Sequence, residues 1–115
     1  MDKPASTRQL KVAREIQRDL SEIIRSKGMA VYGGCMVTVS EVRISPDLSI
    51  AKVFVSIFPS EKAQEILDNI NAHVSQIRYE LGTLERHQLR IIPELKFFID
   101  DSLDYVENID RLLKS

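Results

Sequence analysis

Ile50-Ala51-Lys52-Val53-Phe54-Val55-Ser56-Ile57-Phe58 is the stretch that decides the fold. Ala51, Val53, Val55 and Ile57 fall on one side of an extended chain. Lys52, Phe54, Ser56 and Phe58 fall on the other. A period of two is the signature of a strand. Upstream, residues 35–44 carry Val37, Val39, Val42 and Ile44 and predict a second strand. Between the two lies Ser45-Pro46-Asp47-Leu48-Ser49, whose proline and aspartate suit a turn, so the runs form a hairpin with a slightly long loop. Residues 94–100 alternate again, with Leu95, Phe97 and Ile99 on one side, and predict a third strand.

Helical periods flank these strands. Over residues 9–27, Leu10, Ala13, Ile16, Leu20, Ile23 and Ile24 recur at three- and four-residue steps, and Gly28 supplies a stop. Residues 29–34 read as a loop turning at Gly33-Gly34. Pro59-Ser60 opens a second helical stretch, with Ser60 as the expected N-cap. Its stripe is Ala63, Ile66, Leu67, Ile70, Val74, Ile77 and Leu81, and Gly82 should end or bend it. Asn69, Asn71, His73 and Ser75 are poor helix formers in its middle. Residues 84–89 fit helix or loop. Residues 102–113 predict a short last helix through Leu103, Val106, Ile109, Leu112 and Leu113. The order α-β-β-α-(α)-β-α implies a three-stranded sheet covered on one face by helices, an α+β domain.

Composition sets outer limits. The 115 residues are 43% hydrophobic and 29% charged, enough for one globular domain with a real core and too few for two. Residues 1–7 are polar, contain Pro4 and are expected to be disordered. One cysteine, Cys35, precludes an internal disulfide and suits a small core residue better than a nucleophile. With no apolar run of membrane length and no apolar leader, a cytoplasmic location is expected.

Charge is distributed unevenly. Residues 1–30 carry seven basic and four acidic side chains; residues 100–115 carry two and five. An asymmetry of this kind fits one end that meets an anionic partner, or two ends that attract each other. At about 100° per residue, Lys11, Arg14, Arg18 and Arg25 lie within about 60° of one another, opposite the apolar face. A cationic stripe on a rigid helix suits phosphates. A solvated face would carry the same residues, and Glu22 stands at i,i+4 from Arg18, where the two can pair. Arg78, Arg86 and Arg90 form a second basic set, with Lys96 beyond. Aromatics are few, which favours contacts to backbone and shape over base stacking.

Catalytic readings are thin. His73 and His87 have no cysteine or carboxylate at zinc-ligand spacing, so no metal is expected. Gly33-Gly34 lacks the lysine of a phosphate-binding loop. Asp100, Asp101 and Asp104 are the best carboxylate cluster, and Asp101 or Ser102 capping the last helix accounts for them without catalysis.

Several segments together resemble the ribosome-binding factor A family. Val12-Ala13-Arg14-Glu15-Ile16-Gln17-Arg18-Asp19-Leu20-Ser21-Glu22-Ile23-Ile24 is similar to its opening motif. Ile44-Ser45-Pro46-Asp47-Leu48-Ser49 with Ala51-Lys52-Val53-Phe54-Val55-Ser56 resembles its hairpin, and Ile77-Arg78-Tyr79-Glu80-Leu81-Gly82 the end of its central helix. Pro93-Glu94-Leu95-Lys96-Phe97, Asp101-Ser102 and Ile109-Asp110-Arg111-Leu112-Leu113 resemble its C-terminal block. The likeness runs from about Arg8 to Leu113. It implies a KH-like domain of type II topology over residues 8–113. It also implies a non-enzymatic, cofactor-free, monomeric protein that binds 16S rRNA in free or immature small (30S) subunits. Such a protein assists late maturation and processing of the rRNA 5′ end, contributes to cold adaptation and is released by a ribosome-assembly GTPase. The family's Ala-x-Gly kink corresponds here to His73-Val74-Ser75, so a helix break is expected near Ser75. The RNA-binding residues expected are Lys11, Arg14, Arg18, Arg25, Ser75, Arg78, Arg86 and Arg90. Two rivals remain: a module docking on ribosomal proteins, and a small metal-dependent hydrolase using Asp100–Asp104.

Overall fold

A computed structural model describes residues 6–85 and 92–100. Helix α1 spans Thr7–Lys27, strand β1 Met36–Ile44, strand β2 Ile50–Phe58, helix α2 Ala63–Ala72, helix α3 Val74–Glu85 and strand β3 Glu94–Ile99. Short 3₁₀ turns fill Met29–Tyr32 and Ser60–Lys62. The expected last helix, its Asp101 cap, and residues 1–5 and 86–91 lie outside the described residues.

The sheet order is β1-β2-β3. β1 and β2 pair antiparallel across the hairpin; β2 and β3 pair parallel, so a crossover must join them, and α2 with α3 lies on that crossover. Ala51, Val53 and Val55 are fully buried in the central strand, and Val39, Val42, Ile44, Leu95 and Phe97 are buried beside them. From the helices, Ile16, Leu20, Ile70, Ile77 and Leu81 complete the core. The opposite face of the sheet shows Thr38, Glu41, Arg43, Lys52, Lys96 and Phe98 exposed. This is the expected α+β arrangement, helices on one face of a three-stranded sheet.

Local chemistry sets the boundaries. α1 starts at Thr7, two residues before the apolar period indicates, because Ser6 and Gln9 form a reciprocal capping box. The Gln9 backbone N–H donates to Ser6 Oγ at 3.1 Å, and the Ser6 N–H to Gln9 Oε1 at 2.8 Å. α1 ends at Gly28, whose φ of 80° glycine adopts without a Cβ clash. In β1, Val39 faces Val55 but Glu41 faces Phe54, so Ser40 is the extra residue of a bulge. The bulge moves the inward positions from Val37 and Val39 to Val42 and Ile44. Across the hairpin, Asp47 Oδ1 accepts from the hydroxyls of Ser45 and Ser49, both at 2.7 Å. Those hydrogen bonds, Ser49 first, lower the Asp47 pKa to about 2.

Two helix boundaries correct the sequence reading. Ser60 does not cap α2. Pro59 holds the extended conformation, Ser60 is already inside the 3₁₀ turn, and the helix begins at Ala63 behind Lys62 with no side-chain cap. Gly82 does not end α3, which continues to Glu85, held down by buried Leu81 and Glu85. The break in the long helical stretch falls at His73, two residues before Ser75. His73 takes φ −110° and ψ 16°, outside the helical region, and its backbone N–H is shared between the carbonyls of Asn69 and Ile70.

Candidate nucleic-acid interface

The outer face of α1 carries the cationic stripe. Lys11, Arg14, Arg18 and Arg25 are all exposed, and the apolar residues of the same helix are buried against the sheet. The four cations differ in what already holds them. Glu22 pairs with Arg25 at 2.6 Å, not with Arg18 as the spacing suggested. Arg18 leans instead on Asp19, Nε to Oδ1 at 3.5 Å. Lys11 and Arg14 form no ion pair among the described residues. Among the described residues, the N-terminal half of the stripe is therefore the part whose cations no acid pairs.

Beneath this helix the end of α3 buries a carboxyl group. Glu85 is fully buried. Burial first, then the carboxyls of Asp19 and Glu15, push its pKa up to about 7, against the opposing pull of Arg18. Neither Glu85 oxygen has a hydrogen-bond partner among the described residues.

Two of the expected junction residues, Ser75 and Arg78, are among the described residues. Ser75 is exposed in the first turn of α3. Arg78 donates to the carbonyls of Ile92 at 2.6 Å and Pro93 at 3.1 Å, tying α3 to the lead-in of β3. Glu80, about 200° further round the helix, pairs with Lys27 of α1 at 3.1 Å. Arg78 thus faces away from α1, and its guanidinium already has a structural task. Arg86 and Arg90 lie outside the described residues, as does His87.

The fold assembles two features that the linear sequence conceals. On the open sheet face Arg43 pairs with Lys52 across one strand boundary and Lys52 with Lys96 across the next, giving a row of three cations. Beside it Phe54 and Phe98 stack with centroids 5.6 Å apart, and the Arg43 guanidinium sits 5.3 Å above Phe54. Arg43 also pairs with Glu41 at 3.0 Å. The second feature is a cavity of about 380 Å³ at the helix break, between the 3₁₀ turn that ends in Tyr32 and the His73 junction. The only sequence signal for it was the run of poor helix formers.

The carboxylate cluster is only partly in view. Asp100 lies 2.5 Å from the Ser40 hydroxyl and donates its N–H to the Val55 carbonyl, while Asp101 and Asp104 lie outside the described residues. Among the described residues no three His, Cys, Asp or Glu side chains are placed to hold a metal, and no helix is long and apolar enough to cross a membrane. Cys35 is buried.

Comparison with known proteins places this geometry in context. The family model described as ribosome-binding factor A matches residues 8–113. A ribosome-binding factor A from Christiangramia forsetii is 43% identical over 95% of this chain and 84% of its own length. The crystal structure of ribosome-binding factor A from Thermus thermophilus superposes with a TM-score of 0.66 at 24% identity, over 79% of this chain and 94% of that one. A homology model of the Thermus thermophilus factor, fitted into the cryo-EM map of a 30S complex, matches with a TM-score of 0.62 at 26% identity. It covers 77% of this chain and 91% of its own.

Proposed function

The chain belongs to the ribosome-binding factor A family, and on that premise we propose that it binds the small ribosomal subunit through 16S rRNA. In this role it assists late subunit maturation and processing of the rRNA 5′ end, acts as a cytoplasmic monomer and catalyses no reaction. A ribosome-assembly GTPase would release it. Binding is assigned to residues 8–113, with Lys11 and Arg14 on rRNA phosphates, Arg18 and Arg25 more weakly engaged, and Ser75 at the helix junction. Arg78 contributes mainly by fixing α3.

The observation that carries the reading is the pair Lys11 and Arg14, exposed on one side of a rigid, capped helix with no acidic partner among the described residues. Two such cations can release condensed counterions from a phosphate backbone, and contacts of this type position a protein without reading sequence. Shape of the rRNA then supplies the selectivity. Co-sedimentation with purified small subunits, large subunits and intact ribosomes tests this. The protein should travel with small subunits, best with immature ones, and poorly with intact ribosomes. Equal binding to both subunits would replace the reading with docking on ribosomal proteins or nonspecific RNA binding.

A further inference from the structure

We propose that the open face of the sheet is covered by this chain's own C-terminal segment, residues 103–113, with its apolar side on the phenylalanines and its acids toward the lysines.

Three of the four phenylalanines of the chain, Phe54, Phe58 and Phe98, stand on that face, and Phe97 alone points into the core. Phe58 is 70% exposed, and Met36, its cross-strand partner, is 53% exposed. Phe54 and Phe98 stack on the parallel pair β2–β3. Parallel strands are almost always covered on both faces, and the described helices cover only the other one. Lys52 and Lys96 form the next row, and neither has an ion pair among the described residues. An occupant of this face must therefore offer apolar groups and negative charge together.

The C-terminal segment offers both. Leu103, Val106, Ile109 and Leu113 recur at three- and four-residue steps, a pattern that gives a helix one apolar side. Residues 101–115 carry four acids, Asp101, Asp104, Glu107 and Asp110, against Arg111 and Lys114. The chain also leaves β3 on the side of the open face. Asp100 follows the strand, and its carboxylate accepts from the Ser40 hydroxyl at 2.5 Å. Ser40 is the bulge residue of β1 and is exposed, so this contact passes over the central strand on the open side. Length fits as well. A helix over residues 103–113 would reach about 16 Å, and Lys96 lies about 13 Å back along the strand from Asp100.

Attachment decides between occupants. A tethered segment acts at an effective concentration on the order of millimolar, so it outcompetes a second copy or a free partner of the same chemistry. With this face covered, phosphates meet the cations of α1 instead.

Nuclear Overhauser spectra of the full chain test the contact directly. The methyl groups of Val106 and Ile109 should give cross-peaks to the Phe54 and Phe98 rings, unchanged on dilution. Val106→Asp/Ile109→Asp should abolish those cross-peaks and shift the amide resonances of Lys52, Phe54, Lys96 and Phe98, leaving those of Ile16 and Leu20 in place. Lys52→Gln/Lys96→Gln keeps the apolar side intact and should weaken the cross-peaks without lowering Tm. No cross-peaks in the unmodified chain, cross-peaks from Val106 and Ile109 to another part of the molecule, or cross-peaks that fade on dilution, as contact with a second copy requires, would overturn the proposal. If the cross-peaks are missing and oligouridylate shifts the Phe54 and Phe98 resonances, the face belongs to nucleic acid and the proposal falls.

Discussion

Helix α1 and the α2–α3 pair line the same face of one sheet with almost the same length of chain, 21 residues against 10 and 12. One is a single rod and the other is broken. Apolar spacing does not explain the difference: Ile70, Val74, Ile77 and Leu81 keep helical steps straight through the break. Termini and composition explain it. α1 opens on a reciprocal capping box and closes on a glycine with positive φ. α2 opens without a side-chain cap, and Asn69, Asn71, His73 and Ser75 weaken the middle of the stretch. Apolar periodicity therefore reports which face is buried, not whether the helix is continuous. The rod presents a line of cations, and the break opens a cavity.

The most severe test of the shared core is truncation on each side. Leu20 of α1 and Leu81 of α3 are both fully buried. Leu20→Ala and Leu81→Ala should each cost about 2–5 kcal/mol in denaturant unfolding. A small loss at Leu81 alone would mean that the broken helices pack less tightly than α1 and that the comparison is unequal from the start.

A smaller effect separates the two regions by pH. The Glu85 pKa is raised in the folded state, from 4.5 to about 7. The folded protein therefore binds more protons than the unfolded chain between those values, and stability falls as pH rises from about 4.5 to 7. Glu85→Gln should remove that fall and gain on the order of 1–2 kcal/mol above pH 7, with little change at pH 4.5. Equal pH profiles for the two proteins would contradict a buried Glu85 with a raised pKa. Smaller again is the contrast between helix starts: Ser6→Ala should cost about 1 kcal/mol, whereas Lys62→Ala should stay within about 0.5 kcal/mol. Comparable losses would show that capping does not distinguish the rod from the broken pair.

How far the sequence discloses this molecule depends on the range of the interaction. The strand over Ile50–Phe58, the apolar face of α1 and the interruption of the central helix follow from local period and propensity. The bulge at Ser40 leaves a local trace, the change of phase from Val39 to Val42, and so does the Ser6–Gln9 box, but apolar period alone passes over both. Ser60 misled because a serine after proline resembles an N-cap, yet the chain first makes a 3₁₀ turn. Arg25 took the acid expected of Arg18 because i,i+3 and i,i+4 partners compete on a helix surface. The row Arg43, Lys52 and Lys96 needs the parallel register of β3, which no local pattern supplies. Tyr32 needs still more, since its neighbours Asn69, His73 and Gln76 come from helices far along the chain. The cations of α1 were legible as a stripe; which of them pair with acids among the described residues was not.

The central claim is that the N-terminal half of that stripe, Lys11 and Arg14, contacts rRNA phosphates. The direct measurement is the dependence of small-subunit affinity on salt concentration, compared between Lys11→Gln/Arg14→Gln and Arg25→Gln. The double variant should bind more weakly and show a log–log slope shallower by about 2, close to one unit for each phosphate that the two cations neutralise. Arg25→Gln, whose guanidinium is already paired with Glu22, should change the slope by much less than one unit. An affinity indifferent to salt, or a slope unchanged by the double variant, would contradict the account.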